Sequence, residues 1–159
     1  MTTSKILVIG SNSFSGSNFV SEALRSGHEL WGVSRSHELD PIFLPYRWPQ
    51  GKTYKAIATS DNFHFKIIDL NNQLFELLEL IDHVQPSFVV NFAAQGMVAE
   101  SWLNPTHWYK TNVVSQVALH DALRQRTFLK KYVHVTTPEV YGSTDDGWIR
   151  ENNNFAPST

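Results

Sequence analysis

The chain has 159 residues, 42% of them apolar and 18% charged, with a formal net charge of −2 and no cysteine. This is the composition of a globular domain with its own core; it offers no basic stripe for nucleic acid or an anionic membrane, and neither a disulfide scaffold nor a thiolate metal site. No apolar run approaches the roughly 20 residues that cross a bilayer, and the N-terminal MTTSK enters a predicted strand without a signal-peptide pattern, so a cytoplasmic protein is expected.

Ile6-Leu7-Val8-Ile9 is a run of β-formers that stops at Gly10, and an apolar-periodic helix is predicted to begin near Gly16. Only short polar residues and Phe14 lie between them. Strand, small-residue turn and helix leave free backbone N–H groups at a positive helix end, which suits a phosphate. Gly10 permits the sharp turn, and Gly16 a close approach of helix, strand and pyrophosphate. The spacing is that of a GxxGxxG dinucleotide turn with Ser13 at the middle glycine; the alternative is an ordinary βα turn. Phe19, Val20, Ala23 and Leu24 continue the helix and Ser26-Gly27 closes it. Leu30-Trp31-Gly32-Val33 is the second predicted strand, ending at Ser34-Arg35-Ser36. An acidic residue at that end would bind an adenosine ribose and repel a 2′-phosphate. Arg35 offers a bidentate cation instead, which favours NADP(H) and leaves NAD(H) possible if the guanidinium only stacks on adenine.

Residues 40–62 hold Pro41, Pro45 and Pro49 with no clear period, and are predicted as an irregular insert, a loop or short hairpin. Its aromatics Phe43, Tyr46, Trp48 and Tyr54 are expected to pack against the domain. Residues 63–68 form a third predicted strand, followed by Asp69-Leu70, and 73–84 an amphipathic helix with Leu74, Leu77, Leu78 and Ile81 on one face. Pro86 breaks it. Residues 88–92 are near-continuously apolar, as in a strand covered on both faces, and run into Ala93-Ala94-Gln95-Gly96, small enough for a ligand backbone to approach. Past Pro105 a long helix is predicted over roughly 106–126. Its face of Val113, Val117 and Ala118, widened by Val114, Ala122 and Leu123, calls for burial against the sheet or a partner. Residues 132–136 are the fifth predicted strand, before Thr137-Pro138-Glu139-Val140-Tyr141-Gly142 and a polar tail. Strands alternating with helices predict an α/β fold, a doubly wound parallel sheet, with residues 1–159 one dinucleotide-binding domain. The seven histidines form no HxxxH or HxH pair, so no metal site is expected.

Four stretches in this order resemble the extended short-chain dehydrogenase/reductase family, in particular its nucleotide-sugar 4,6-dehydratases and epimerases of the dTDP-glucose and GDP-mannose kind. VIGSNSFSG is similar to the family's glycine turn. NFAAQGMVAESWLNP resembles its AAQ-S-H-V-x-x-S-x-x-x-P segment, keeping Ala93, Ala94, Gln95, Val98, Ser101 and Pro105, with Met97 in place of the histidine. YKTNV, carrying Asn112, is similar to its TNV on the long helix, where the asparagine is a cofactor-side residue or a structural hydrogen-bonder. TTPEVYG resembles its S-T-[DS]-E-V-Y-G.

The resemblance implies that backbone amides near Phe14 and Ser15 hold a pyrophosphate, that Asp69 and Leu70 flank the adenine, and that Ala93, Ala94 and Gln95 line the cofactor cleft. It implies that Thr137 hydrogen-bonds the sugar's 4-oxygen and that Glu139 removes the C5 proton, while Pro138 stands where many dehydratases carry a proton-donating Asp. The family's Tyr-x-x-x-Lys acid/base pair follows a P-S-P-Y segment, and this sequence reaches only Ala156-Pro157-Ser158-Thr159. The chain therefore resembles the cofactor-binding part of such an enzyme, expected to be inactive alone, with a homodimer formed through the 106–126 helix. The alternatives are an epimerase fragment or a non-catalytic module that binds a dinucleotide or a partner chain.

Overall fold

The structure is a computed structural model and describes residues 3–50, 55–143 and 147–158. In chain order it contains β1 (Lys5–Ile9), α1 (Phe14–Arg25), β2 (Glu29–Ser34), two 3-10 turns (Pro41–Phe43 and Pro45–Arg47), and β3 (Pro49–Gln50) with β4 (Lys55–Ala56). Then come β5 (Phe63–Ile67), α2 (Leu74–Val84), β6 (Phe88–Asn91), α3 (Val98–Leu103), α4 (Pro105–Tyr109), a π-helical segment (Lys110–Val114), α5 (Ser115–Leu123) and β7 (Lys131–His134). A last 3-10 turn covers Pro138–Tyr141. Five strands form one parallel sheet in the order β5-β2-β1-β6-β7, as a doubly wound fold requires.

β1 runs through the centre, and its alternating side chains feed two cores. Ile6 and Val8 pack on one face with Val20, Ala23 and Leu24 of α1. Leu7 and Ile9 pack on the other with Leu77 and Ile81 of α2 and Leu119 and Leu123 of α5. The register sets Ile9 beside Val33 on one side and Asn91 on the other, and Asn91 beside His134. The carboxyl ends of four strands thus lie level. The first chain crossover leads away from β1 to β2 and a later one returns to its other side at β6, so the fold's crevice opens at the end of β1.

Three elements depart from the sequence expectation. α1 starts at Phe14, two residues before Gly16, because the Ser13 hydroxyl caps the turn by accepting from the Gly16 N–H at 3.0 Å. The long helix predicted over 106–126 begins at Pro105, passes through the π segment and ends at Leu123. α3 is a short extra helix whose side chains make no buried face, so it has no apolar stripe to betray it.

Between β2 and β5 the chain builds the two 3-10 turns and an antiparallel β3–β4 pair. Tyr46 is fully buried here, its ring 4.7 Å from Phe63. Its hydroxyl donates to Glu38 Oε1 at 3.0 Å, and Arg47 forks onto both Glu38 oxygens at 3.0 and 2.8 Å. Burial, and then the Glu38 carboxylate, push the Tyr46 hydroxyl far above the usual phenol range. Phe43 and Trp48, also expected to pack, are instead exposed, with the Trp48 indole N–H donating to the Ile42 carbonyl at 3.0 Å; Tyr54 lies outside the described residues. Tyr46→Ala should lower unfolding free energy by about 3–5 kcal/mol, as for other large core aromatics, and Tyr46→Phe by about 1 kcal/mol. Urea titration followed by tryptophan fluorescence checks this, and equal small losses from both would mean that Tyr46 does not anchor the core.

Candidate functional site

The turn after β1 is built from close backbone approach. Gly10 has φ +81°, and a Cβ there would sit 2.8 Å from the Ala93 nitrogen and 2.9 Å from the Phe92 carbonyl carbon. A Cβ on Gly16 would collide with the Gly10 carbonyl oxygen and lie 2.8 Å from Ser13 Oγ. Neither position accepts a side chain. The Gly10 and Ser11 N–H groups both donate to the Val33 carbonyl, at 2.7 and 3.2 Å, which ties the turn to the end of β2. The Asn12 N–H donates to Ser34 Oγ at 3.0 Å, and the Asn12 side-chain amide to the His37 carbonyl at 2.7 Å. The Asn12 Oδ1 atom is buried without a partner among the described residues. Ser13 donates its hydroxyl proton to the Gly10 carbonyl at 2.8 Å while capping Gly16. At the first two positions of α1, the Phe14 and Ser15 N–H groups have no intrahelical acceptor and point out of the helix end.

A cleft of about 340 Å³ opens beside this turn at the carboxyl ends of the strands. Of the residues singled out from sequence, Gly10, Ser13, Ser34, Arg35, Asp69, Leu70, Ala93, Ala94 and Gln95 line it together. Phe14, Ser15, Gly16 and Asn112 do not. The Phe14 ring is 86% exposed and turned to solvent, so only its amide belongs to the turn. Gly16 is buried beneath the turn. Asn112 clamps a neighbour: its Oδ1 accepts the Gln95 N–H at 2.8 Å and its Nδ2 donates to the Gln95 carbonyl at 2.9 Å.

Sequence reasoning passed over Asn12, Asn71 and Thr111, which also line the cleft. Asn71 Nδ2 donates to Thr111 Oγ1 at 2.8 Å, and Asn71 Oδ1 accepts from the Ser115 hydroxyl at 2.7 Å. Asp69 organises that loop by accepting from the Asn71 N–H at 2.9 Å and from the Asn72 side-chain amide at 2.6 Å. The sequence signal was faint: Asn71 directly follows the Asp69-Leu70 pair at a strand end, and Thr111 sits in the π segment, a helical irregularity that recurs at functional sites.

Thr137 and Glu139 stand away from the cleft lining. Thr137 precedes the 3-10 turn that carries Glu139, and both are exposed. Their segment leaves β7 next to β6, where the Val135 N–H donates to the Asn91 carbonyl at 2.9 Å. They therefore occupy the same end of the sheet as the cleft, one strand over. Among the described residues no cluster of His, Cys, Asp or Glu forms a metal site, and no helix is long and apolar enough to cross a membrane.

Residues 7–159 match the family model described as GDP-mannose 4,6 dehydratase. The dTDP-glucose 4,6-dehydratase of Streptomyces niveus is 33% identical over 159 residues, covering 97% of this chain and 44% of its own length. The dTDP-glucose 4,6-dehydratase of Xanthomonas campestris pv. campestris is 32% identical, with 96% of this chain and 43% of the relative covered. The chain therefore spans less than half the length of these curated relatives. Among solved structures, the UDP-Glc/GlcNAc 4-epimerase of Campylobacter jejuni superposes with a TM-score of 0.76 at 25% identity, covering 97% of this chain and 43% of that one. A UDP-glucose-4-epimerase from Stenotrophomonas maltophila, solved with bound NAD and formylated UDP-arabinopyranose, gives 0.75 at 22% identity, covering 96% of this chain and 43% of that one. With the glycine turn, the parallel sheet and a family match running from the first strand to the last residue, this chain belongs to the GDP-mannose 4,6 dehydratase family of nucleotide-sugar dehydratases and epimerases.

Proposed function

We propose that this chain is the NAD(P)-binding part of a nucleotide-sugar 4,6-dehydratase working in the cytoplasm. The observation that carries the reading is the contact of Gly10 with the Ala93 peptide, so close that no side chain fits, at the mouth of a cleft. A dinucleotide fits what is present. The outward Phe14 and Ser15 amides at the positive end of α1 suit a pyrophosphate, the Asp69-Leu70 loop suits an adenine, and Ala93, Ala94 and Gln95 leave room for the nicotinamide half. A bound nicotinamide supplies a reversible hydride acceptor.

In this reading the Thr137 hydroxyl hydrogen-bonds the sugar's 4-oxygen, and Glu139 takes the C5 proton that a C4 ketone acidifies. Glu139 favours a dehydratase over a simple 4-epimerase, which needs no base at C5. Pro138 has no proton to give, so the departing C6 hydroxyl is protonated by another group. The Tyr-x-x-x-Lys pair that would serve the 4-hydroxyl is not among these 159 residues, so the chain alone binds and does not turn over. Val113, Val114 and Val117, 46%, 62% and 62% exposed, supply the apolar face of a homodimer. The exposure of Thr137 and Glu139 outside the cleft favours one second reading, a dinucleotide-binding module without catalysis.

Arg35 sets the cofactor preference. It stands exposed on the cleft edge after β2, and the first carboxylate beyond it, Glu38, is engaged by Arg47 and Tyr46. Asp69 lines the cleft from the loop after β5, but the stretch after β2 offers no carboxylate before Glu38 to oppose a 2′-phosphate.

Calorimetry with NADP⁺ and NAD⁺ tests the reading: the chain should bind at least one of them, and Gly10→Ala should weaken that binding at least about tenfold through the positive φ and the clash with Ala93. No binding of either nucleotide by the parent chain sinks it. Arg35→Ala should cost NADP⁺ about tenfold and leave NAD⁺ nearly unchanged; equal losses would remove the NADP preference. In a longer form carrying the tyrosine–lysine pair, Glu139→Gln should slow water loss by about 10²–10⁴, and an unchanged rate would take the C5 base role from Glu139.

A further inference from the structure

The Ala93 peptide is held from both sides by buried side-chain amides. Its N–H donates to Asn91 Oδ1 at 2.8 Å, and its carbonyl accepts from Gln116 Nε2 at 2.9 Å. Asn91 in turn donates through Nδ2 to Gln116 Oε1 at 2.6 Å and to the Tyr132 hydroxyl oxygen at 2.9 Å. That oxygen accepts from Asn91, which leaves the single Tyr132 hydroxyl proton free to point elsewhere, and His134 Nδ1, 3.3 Å away, accepts it in the tautomer that carries its hydrogen on Nε2. The two side chains share a face of β7, two residues apart, with rings stacked 15° from parallel.

From this chain of contacts we propose that Tyr132 and His134 are positioning residues for the cleft wall: neutral His134 anchors Tyr132, which anchors Asn91, which fixes the Ala93 peptide. The consequence for cofactor binding rests on the reading above. Protonation of His134 replaces the acceptor with a second donor, so the Tyr132 proton loses its partner and the hold on Asn91 loosens.

The groups around His134 keep it neutral near pH 7. Tyr132 faces it from its own strand, His120 from α5 with ring centroids 5.8 Å apart, and the uncharged Asn91 is its register partner on β6. His120 also sits edge-on to Tyr132 at 4.6 Å, in a groove that Arg124, Arg126, Lys130 and Lys131 line and that no carboxylate lines among the described residues; Asp121, next to His120 in the chain, accepts from Arg124 Nε at 2.8 Å. Desolvation by its surroundings, then the nearby His120, place His134 below the ordinary imidazole range. Burial likewise raises the Tyr132 phenol, against the opposing pull of its bond from Asn91, so it keeps its proton. The wall is therefore firm at neutral pH and loosens in acid.

The test reads the Ala93 amide in isotope-labelled chain by NMR between about pH 7.5 and 5.0. In the parent, the Ala93 signal should titrate with a midpoint below 6.5. His134→Asn, whose amide oxygen keeps an acceptor near the Nδ1 position at every pH, should hold the neutral-pH signal throughout, and Tyr132→Phe should give a displaced signal that does not titrate. His107→Asn, which alters the group beside Gln95, should leave the Ala93 titration intact. An Ala93 amide that titrates in His134→Asn as in the parent overturns the proposal. NAD⁺, which has no 2′-phosphate to titrate, should bind the parent about five- to tenfold more weakly at the acid end and His134→Asn about equally at both. If Ala93 titrates as stated but NAD⁺ binds at no pH, the relay stands and the cofactor reading falls.

Discussion

The structure depends on two missing side chains. With no Cβ at Gly10, the end of β1 meets the Ala93 peptide, and with none at Gly16, α1 seats directly on the Gly10 carbonyl. These contacts join the first strand, the first helix and the exit of β6 into one rigid corner. The sheet order then matters: β2 and β6 flank β1, so the corner lies where the fold reverses direction and where a crevice must open. Ser13 completes it, since its hydroxyl both donates to the Gly10 carbonyl and caps the Gly16 N–H.

A corner this tight needs walls that do not move, and here amide side chains supply them. Asn91, fully buried, and Gln116 grip the Ala93 backbone; Asn112 grips both backbone polar groups of Gln95; Asn71 ties the loop after β5 to Thr111 and Ser115. Amides suit this task because each donates and accepts at once without carrying a charge, which a low-dielectric site would penalise. The π segment serves the same end. By shifting the helical register at Lys110–Val114 it leaves the Thr111 carbonyl free to accept from Gln116 Nε2 at 3.2 Å.

Much of this was legible from local pattern. The buried central strand β1 reads as an unbroken apolar run, and five predicted strands with intervening helices led directly to the parallel sheet. What escaped was non-local. Which aromatics of the proline-broken stretch would pack is one such point: Tyr46 does so as expected, against Phe63 and Glu38, whereas Phe43 and Trp48 stay exposed. The π segment preserves the composition of a regular helix, so periodicity cannot reveal it. In the cleft, the small residues announced themselves, whereas Asn71 and Thr111, 40 positions apart, become neighbours only once the chain has folded. The capping by Ser13 was hidden for another reason: a serine at a glycine position reads as a departure until its two hydrogen bonds are seen.

The division between binding and chemistry follows from the same geometry. Most of the cleft is lined from the carboxyl ends of β1, β2 and β6, each held by a neighbour on both sides, with the loop after β5 and Thr111 of the π segment closing it. Thr137 and Glu139, by contrast, leave β7, an edge strand with Val133 and Val135 on show. A proton-abstracting carboxylate gains strength when water is excluded around it, and an exposed Glu139 has its water. On the proposed reading, the groups that would exclude that water are the sugar itself and whatever packs against β7. On that same reading the cofactor cleft draws mainly on the central strands of the sheet, and the reacting groups lie on its open edge.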